Sequence, residues 1–227
     1  MEFIIPSMWR RPSFTLDALK YYLSLEEITK IIIIDNDSSR RPKSEVFDSN
    51  KIKILDYGEN LYVNESWNRG MENAGEDLIC ICNDDIKINK LAISLISEFE
   101  SLNPNAIDLI GVSNDVKTKC FGICRFKMDM TKNIGLQAGG LFGIAMFIRK
   151  KNYKQIPKDL KVWFGDDFLA RSCKNVYTIS PIKITGGMSA TVSSIRKEGG
   201  NIDEIIETDK FNWKNKYMKK NFFLDNS

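Results

Sequence analysis

Three short acidic clusters hold most of the chemistry open to this chain of 227 residues: Asp35-Asn36-Asp37-Ser38, Asn83-Asp84-Asp85 and Asp166-Asp167. The second is the sharpest. Two adjacent carboxylates directly after the apolar run Leu78 to Cys82 repel each other and have no packing role. A magnesium or manganese ion held by one or two carboxylates together with substrate phosphates meets that need, although a simple Asn- and Asp-rich turn has the same composition. The first cluster closes the isoleucine run 31 to 34, and the third follows the aromatic pair Trp163-Phe164 and Gly165. Three such clusters at loop positions suggest a site with nucleotide, metal and base parts. The chain contains no His, which excludes Ser-His-Asp and Cys-His catalysis, His-ligated zinc and a His proton relay. A general base must then be a carboxylate or, failing that, Lys, Tyr or Cys.

Net charge is +3, from 33 Lys and Arg against 30 Asp and Glu, and 43% of residues are apolar. Such a chain can bury a core, and its near-neutral balance argues against coating nucleic acid by bulk charge. The start, Met-Glu-Phe-Ile-Ile-Pro, lacks a basic leader with a long apolar stretch, and no 18-residue apolar run occurs. A soluble cytoplasmic protein without membrane insertion is expected. The five cysteines (Cys80, Cys82, Cys120, Cys124, Cys173) are odd in number and read as buried reduced thiols. Cys120 and Cys124 find no second pair to complete a metal site.

The elements that must position the acidic clusters follow from hydrophobic period. Phe3-Ile4-Ile5, Ile31 to Ile34, Ile52 to Leu55, Leu78 to Cys82 and Ile107 to Val112 read as buried strands. Between them, Ala18, Leu19, Tyr22 and Leu23, with Ser13 as cap, mark one helix face. Val63, Trp67, Met71 and Ala74 mark a second, and Leu91, Leu95 and Phe99 a third. This alternation predicts a single α/β domain built on a doubly wound sheet flanked by helices, with ligands at the carboxyl ends of its strands. Beyond residue 112 the pattern loosens. Residues 113 to 140 show no period, Leu141 to Ile148 and Val176 to Ile179 read as strands, a short helix follows Asp167, and 186 to 200 reads as a mobile segment. From Lys210 to Lys220 five lysines interleave with Phe211, Trp213 and Tyr217. That tail reads either as the solvated face of a terminal helix or as a grip on phosphates and bases.

Together, Phe-Ile-Ile-Pro at 3 to 6 with Arg10-Arg11-Pro12, Ile-Ile-Asp-Asn-Asp-Ser at 33 to 38, Asn60, Asn68-x-Gly70, Ala74 and Leu-Ile-Cys-Ile-Cys-Asn-Asp-Asp at 78 to 85 resemble the nucleotide-sugar half of a glycosyltransferase of GT-A fold. Order and spacing are similar to the inverting family 2, and the motif forms to small stand-alone enzymes of phages and large viruses. The resemblance covers residues 3 to 85 well and 139 to 171 loosely. It implies a GT-A-like mixed sheet, with residues 1-115 as the nucleotide-sugar half, 116-209 as the acceptor-binding and catalytic half and 210-227 as a basic aromatic segment.

Carried over, the resemblance implies that Asp35, with Asp37, reads the base or ribose and that Asn68 lies beside the nucleotide. Asp85 would ligate Mn²⁺ or Mg²⁺ as the last acid of a DxD motif, with Asp84 at the donor ribose or supporting the ion. Pro6 belongs to the donor site, and Arg10 or Arg11 could meet the diphosphate. Asp167 or Asp166 would be the catalytic base; Asp167 aligns with the second acid of the family's Glu-Asp pair, while either Asp could instead cap the helix after it. Many family members add a metal-ligating His downstream. The comparable stretch here, Thr185-Gly186-Gly187-Met188-Ser189-Ala190-Thr191, has none, which implies weak metal binding without nucleotide. The expected reaction moves a sugar from a nucleoside diphosphate sugar, UDP-linked, to an acceptor hydroxyl with inversion. The acceptor would be a glycan, or a hydroxymethylated or hydroxylated pyrimidine of phage DNA in a bacterial cytoplasm or infected host cell. Two other readings stay open. A nucleotidyltransferase would ordinarily show a Gly-rich basic loop where Pro6-Ser7-Met8-Trp9 stands, and a nucleic-acid-binding module would use the tail without transferase activity.

Overall fold

The computed structural model describes residues 1-103, 106-113, 122-180, 184-186, 190-197 and 200-218. Four parallel strands, β1 (Glu2–Ser7), β2 (Lys30–Asp35), β3 (Ile52–Asp56) and β4 (Leu78–Cys82), form one half of the main sheet. The short β5 (Ile86–Ile88) pairs antiparallel with β10 (Ile184–Gly186) as a separate ribbon. The other half contains β6 (Leu109–Val112), β7 (Gly122–Arg125), β8 (Ala145–Arg149) and β9 (Val176–Ser180). The eight-stranded order is β3-β2-β1-β4-β8-β6-β9-β7, and β8 runs antiparallel to both β4 and β6. The result is the expected α/β sheet, mixed because β8 reverses at its centre.

Strand alternation divides the apolar runs between two cores. Ile31 and Ile33 face α1 (Pro12–Leu23) and α3 (Lys90–Leu102) on one side. Ile32 and Ile34 face α2 (Tyr62–Asn73) and α5 (Gly165–Ser172) on the other. A strand buried on both faces needs an unbroken apolar run, and β2 has one. The remaining helices are α4 (Ile134–Gln137), α6 (Ala190–Lys197) and α7 (Ile202–Asn212), the last continuing into a wide turn at Trp213–Tyr217.

Several local expectations change. Helix α1 starts at Pro12 with Arg11 at its cap, so Ser13 caps nothing. Proline's fixed φ starts the helix, and Thr15 Oγ1 donates to the Arg11 carbonyl. Helix α3 buries Ala92, Ile93 and Ile96, whereas Leu91 from the predicted stripe is 67% exposed. The run Leu91-Ala92-Ile93 offers two helix faces, and tertiary packing chose the β-branched one. Strand β8 begins only at Ala145, after a tight turn at Phe142–Ile144. The stretch read as mobile contains the end of β10 and all of α6. Cys80 and Cys82 are buried free thiols and Cys173 a half-buried one, but Cys124 is disulfide-bonded. Cys120 lies outside the described residues, as do Gly187 to Ser189 and Lys219 onward. Among the described residues, no helix is long and apolar enough to cross a membrane.

Candidate active site

A cleft of about 580 Å³ opens at the carboxyl edge of the sheet, the position that ligands of wound sheets take. Pro6, Ser7 and Met8 line it after β1, Asn36 after β2, and Asn83, Asp84 and Asp85 after β4. Tyr62, Val63 and Trp67 contribute from α2. The opposite wall comes from Asn133, Gly135, Leu136, Gly143, and the segment Val162 to Phe164 with Asp166 and Asp167. The carboxylates of two of the three acidic clusters thus face one space.

Asp84 and Asp85 are placed by the strand that precedes them. Ser7 Oγ, at the end of the neighbouring β1, donates to Asp84 Oδ2 at 2.5 Å and accepts the Trp9 N–H at 3.0 Å. Burial pushes the Asp84 carboxyl up to about 6, helped by the charge of Asp85 and opposed by the Ser7 bond and the positive charge of Arg11. Asp85 is buried and lines the cleft. These hard oxygen donors in a site that disfavours two negative charges fit a divalent cation whose shell phosphates complete. Among the described residues no group of three His, Cys, Asp or Glu could form a cage by itself. Asp85 and Asp84 would hold such an ion only together with its ligand.

The second pair belongs to α5. Phe164 sits at the helix cap with φ 65, and no side chain makes a cap hydrogen bond. Neither Asp is therefore the cap; both lie in the first turn, where the helix dipole favours negative charge. Asp166 Oδ1 accepts the Asp167 N–H at 3.0 Å, and Asp167 Oδ1 accepts the Ile134 N–H at 2.7 Å. Burial pushes Asp167 up to about 7, with the neighbouring Asp166 adding to the rise and the Ile134 N–H and Arg171 opposing it. Burial raises Asp166 as well. A methyl group on Gly143 would lie 2.6 Å from Asp166 Oδ2, so the wall approaches that carboxylate closely because it has no side chain. A carboxyl titrating near neutrality is suited to take a proton from a hydroxyl.

The other predicted site residues go elsewhere. The Asp35 carboxylate is enclosed, accepting from Trp9 Nε1 (2.8 Å), Arg41 Nη1 (3.0 Å) and the Asp37 N–H (3.1 Å). Asp37 takes Ser39 Oγ at 2.6 Å and Arg40 Nε at 3.0 Å. Asn68 ties α2 to residues 153-156, donating to the Ile156 carbonyl and accepting the Ile156 N–H and the Tyr153 hydroxyl, each at 2.9 Å. Asp35, Asp37, Asn68, Arg10 and Arg11 do not line the cleft, whereas Pro6 does. Asn36 takes the place predicted for its neighbours. Its Oδ1 accepts the Leu61 N–H at 3.1 Å and its Nδ2 donates to Ser66 Oγ at 3.0 Å, which holds the turn into α2. Trp9, Tyr62 and Phe164, all at or next to the cleft, are the non-glycine residues with positive φ among those described. Backbone strain of this kind concentrates at functional sites. Sequence reading passed over Ser7, Asn36 and Gly143, and the Asn36 side chain alone offered a signal, through its place inside an acidic cluster.

No protein-family model matches the chain, and no curated protein matches it by sequence. Solved structures do match in fold. TarS residues 1-349 from Staphylococcus aureus in complex with UDP-GlcNAc superposes with a TM-score of 0.57 at 13% identity, over 79% of this chain and 55% of that one. The complex of the same protein with UDP gives a TM-score of 0.58 at 12% identity, over 98% and 74%. HddC from Yersinia pseudotuberculosis complexed with GMP-PN gives 0.55 at 13%, over 87% and 99%. The chain thus spans about half of the TarS fragment seen with UDP-GlcNAc. These likenesses carry the fold and not a kinship with phage or viral enzymes: the chain has a GT-A-like α/β architecture with the two acidic pairs at its ligand edge.

Proposed function

We propose that this protein is a metal-dependent glycosyltransferase that moves a sugar from a nucleoside diphosphate sugar to an acceptor hydroxyl. The observation that carries the reading is that Asp84-Asp85 and Asp166-Asp167 face the same cleft at the carboxyl edge of a GT-A-like sheet. On this reading the donor diphosphate lies over Asp85 and Asp84, with Pro6 and Ser7 beneath it. A bound Mn²⁺ or Mg²⁺ would offset charge on the leaving diphosphate. Asp167, or Asp166 beside it, takes the acceptor proton as the acceptor oxygen attacks the anomeric carbon and the bond to the diphosphate oxygen breaks. Attack from the side of the acid pair, opposite the leaving group, would invert the anomeric centre. A uridine nucleotide is favoured because TarS was seen with UDP-GlcNAc and with UDP.

The acceptor enters past Trp163 and Leu136, which are 40% and 79% exposed at the cleft. An exposed indole beside a catalytic acid suits the apolar face of a sugar ring. A glycan acceptor is preferred over DNA because two of the three tail aromatics are spent internally: Trp213 and Tyr217 are buried, and only Phe211 is exposed. Lys216 pairs with Asp159 and Lys210 with Glu207.

The test is a thermal-shift panel of nucleotide sugars with and without Mn²⁺, since a ligand of the folded state raises the melting temperature. A rise with a UDP-sugar that depends on Mn²⁺ is expected, and no shift with any donor would sink the reading. Asp166→Asn and Asp167→Asn then locate the base: one of them should lower turnover about 10²- to 10⁴-fold, and full activity in both would remove the pair from the mechanism.

A further inference from the structure

The acid pair follows a loop whose polar backbone is held from two sides. From α7, Asp209 is 1% exposed, and its carboxylate accepts three successive N–H groups: Lys161 at 2.8 Å, Val162 at 2.7 Å and Trp163 at 2.9 Å. Charge-assisted bonds of this kind are about twice as strong as neutral ones, and a carboxylate desolvated to make three of them holds the segment stiffly. From α2, Asn64 Nδ2 donates to the carbonyls of Leu160 (3.0 Å) and Trp163 (3.1 Å), and the Val63 and Asn64 N–H groups donate to the Lys161 carbonyl. The chain leaves this clasp through Phe164 in the left-handed region and then Gly165, where a methyl would collide with Asn64 and Trp67. The next two residues are Asp166 and Asp167.

A second contact from the same C-terminal segment reaches the pair. Trp213 stacks on Phe164 with centroids 5.2 Å apart and planes 4° from parallel, and the Arg171 guanidinium lies 5.1 Å from its ring centroid. Arg171 is the cation that acts on Asp167. The basic aromatic tail therefore has a use that its composition does not suggest.

We propose that Asp209 is a positioning residue for the Asp166-Asp167 pair, with Trp213 supporting it, so that the C-terminal segment sets the geometry of the base. The proposal rests on the reading of that pair as catalytic. A structural staple would serve stability alone. A positioning residue acts on the acid pair while leaving the donor side, on β1 and β4, intact.

The test uses the full chain with Asp209→Asn and Trp213→Phe, and three readouts: UDP affinity with Mn²⁺ by calorimetry, turnover of a UDP-sugar, and ¹³C carboxyl titration of Asp166 and Asp167. Asp209→Asn should lower kcat about 10²-fold, the loss that a displacement of about 1 Å produces. UDP affinity should stay within about twofold, and the titration midpoint of the pair should move. Trp213→Phe keeps an aromatic stack and should show the same pattern, several-fold weaker. Wild-type kcat together with an unmoved titration in folded Asp209→Asn overturns the proposal, as does a parallel loss of UDP affinity. If Asp209→Asn does not fold, the same criteria apply to Trp213→Phe. If the wild type neither binds UDP nor transfers sugar, the transferase reading fails by itself. The carboxyl titration then still decides the clasp, a displaced midpoint supporting it and an unmoved one overturning it.

Discussion

Asp84 and Asp85 follow a strand paired on both sides, with β1 and with β8, whereas Asp166 and Asp167 follow a loop held by side chains from two distant helices. At Asp84 and Asp85 the backbone ladder fixes where the carboxylates emerge, and one bond from Ser7, on the neighbouring strand, orients Asp84. On the acid side the backbone strays into positive φ at Phe164 and is kept there by Asn64 and Asp209. Ladder hydrogen bonds of a central strand open only with the fold, while a loop opens locally at lower cost. A strand-end site should thus tolerate nearby substitutions, and a clasped site should convert small packing errors into misplaced chemistry.

The largest effect should come from Asp85→Ala, with a fall in UDP-sugar turnover of about 10³-fold, several kcal/mol of charge stabilisation at the leaving diphosphate. Because the strand positions this carboxylate, the melting temperature without nucleotide should hold. Activity assays with thermal melts check it, and unfolding in step with the activity loss would break the contrast.

Two glycines, one in the clasp and one outside it, test the loop at smaller scale. Gly165→Ala drives a methyl against Asn64 and Trp67 and should cost about 1–3 kcal/mol of stability. Gly75→Ala, beyond the end of α2, meets only Glu2 at an ordinary 3.6 Å and keeps its N–H bond to the Glu2 carboxylate. It should change stability by no more than about 0.5 kcal/mol. Urea denaturation of both variants measures the difference, and equal costs would show that the loop is not tightly clasped.

Asp167→Asn should change stability with an unusual sign. The group titrates at about 7 in the fold against 3.8 ordinarily, so between those values the folded chain keeps a proton that the unfolded chain has lost. Its contribution to stability is full below pH 3.8 and disappears as pH rises through about 7. Removing the charge should therefore raise the melting temperature by a few degrees at pH 8, with the gap closing near pH 4. Melting curves at the two pH values decide it, and a lower melting temperature at pH 8 would mean that the buried carboxylate stabilises the clasp.

Much of the first half of the chain was legible in the residues because its signals are local. The run Leu78 to Cys82 became β4 with the predicted ends, and Asn83-Asp84-Asp85 reached the cleft. Asp35 shows the limit of that reasoning, since the same acidic strand end serves Trp9 and Arg41 instead of the cleft. A strand end says where a carboxylate emerges and not which neighbour will enclose it. Helix α3 shows another limit: Leu91 and Ile93 both fit a helical stripe, and only the position of the sheet selects the buried one.

The sequence by itself determined the alternating architecture, the exclusion of imidazole chemistry and the three acidic clusters, because each depends on residue type and on spacing within one or two elements. The tertiary structure alone decided which carboxylates share a cleft, and it alone brought Asp209 to amides 46 to 48 residues away. Such partners are chosen by how helices dock on a sheet, a property of the whole packed chain that no local period encodes.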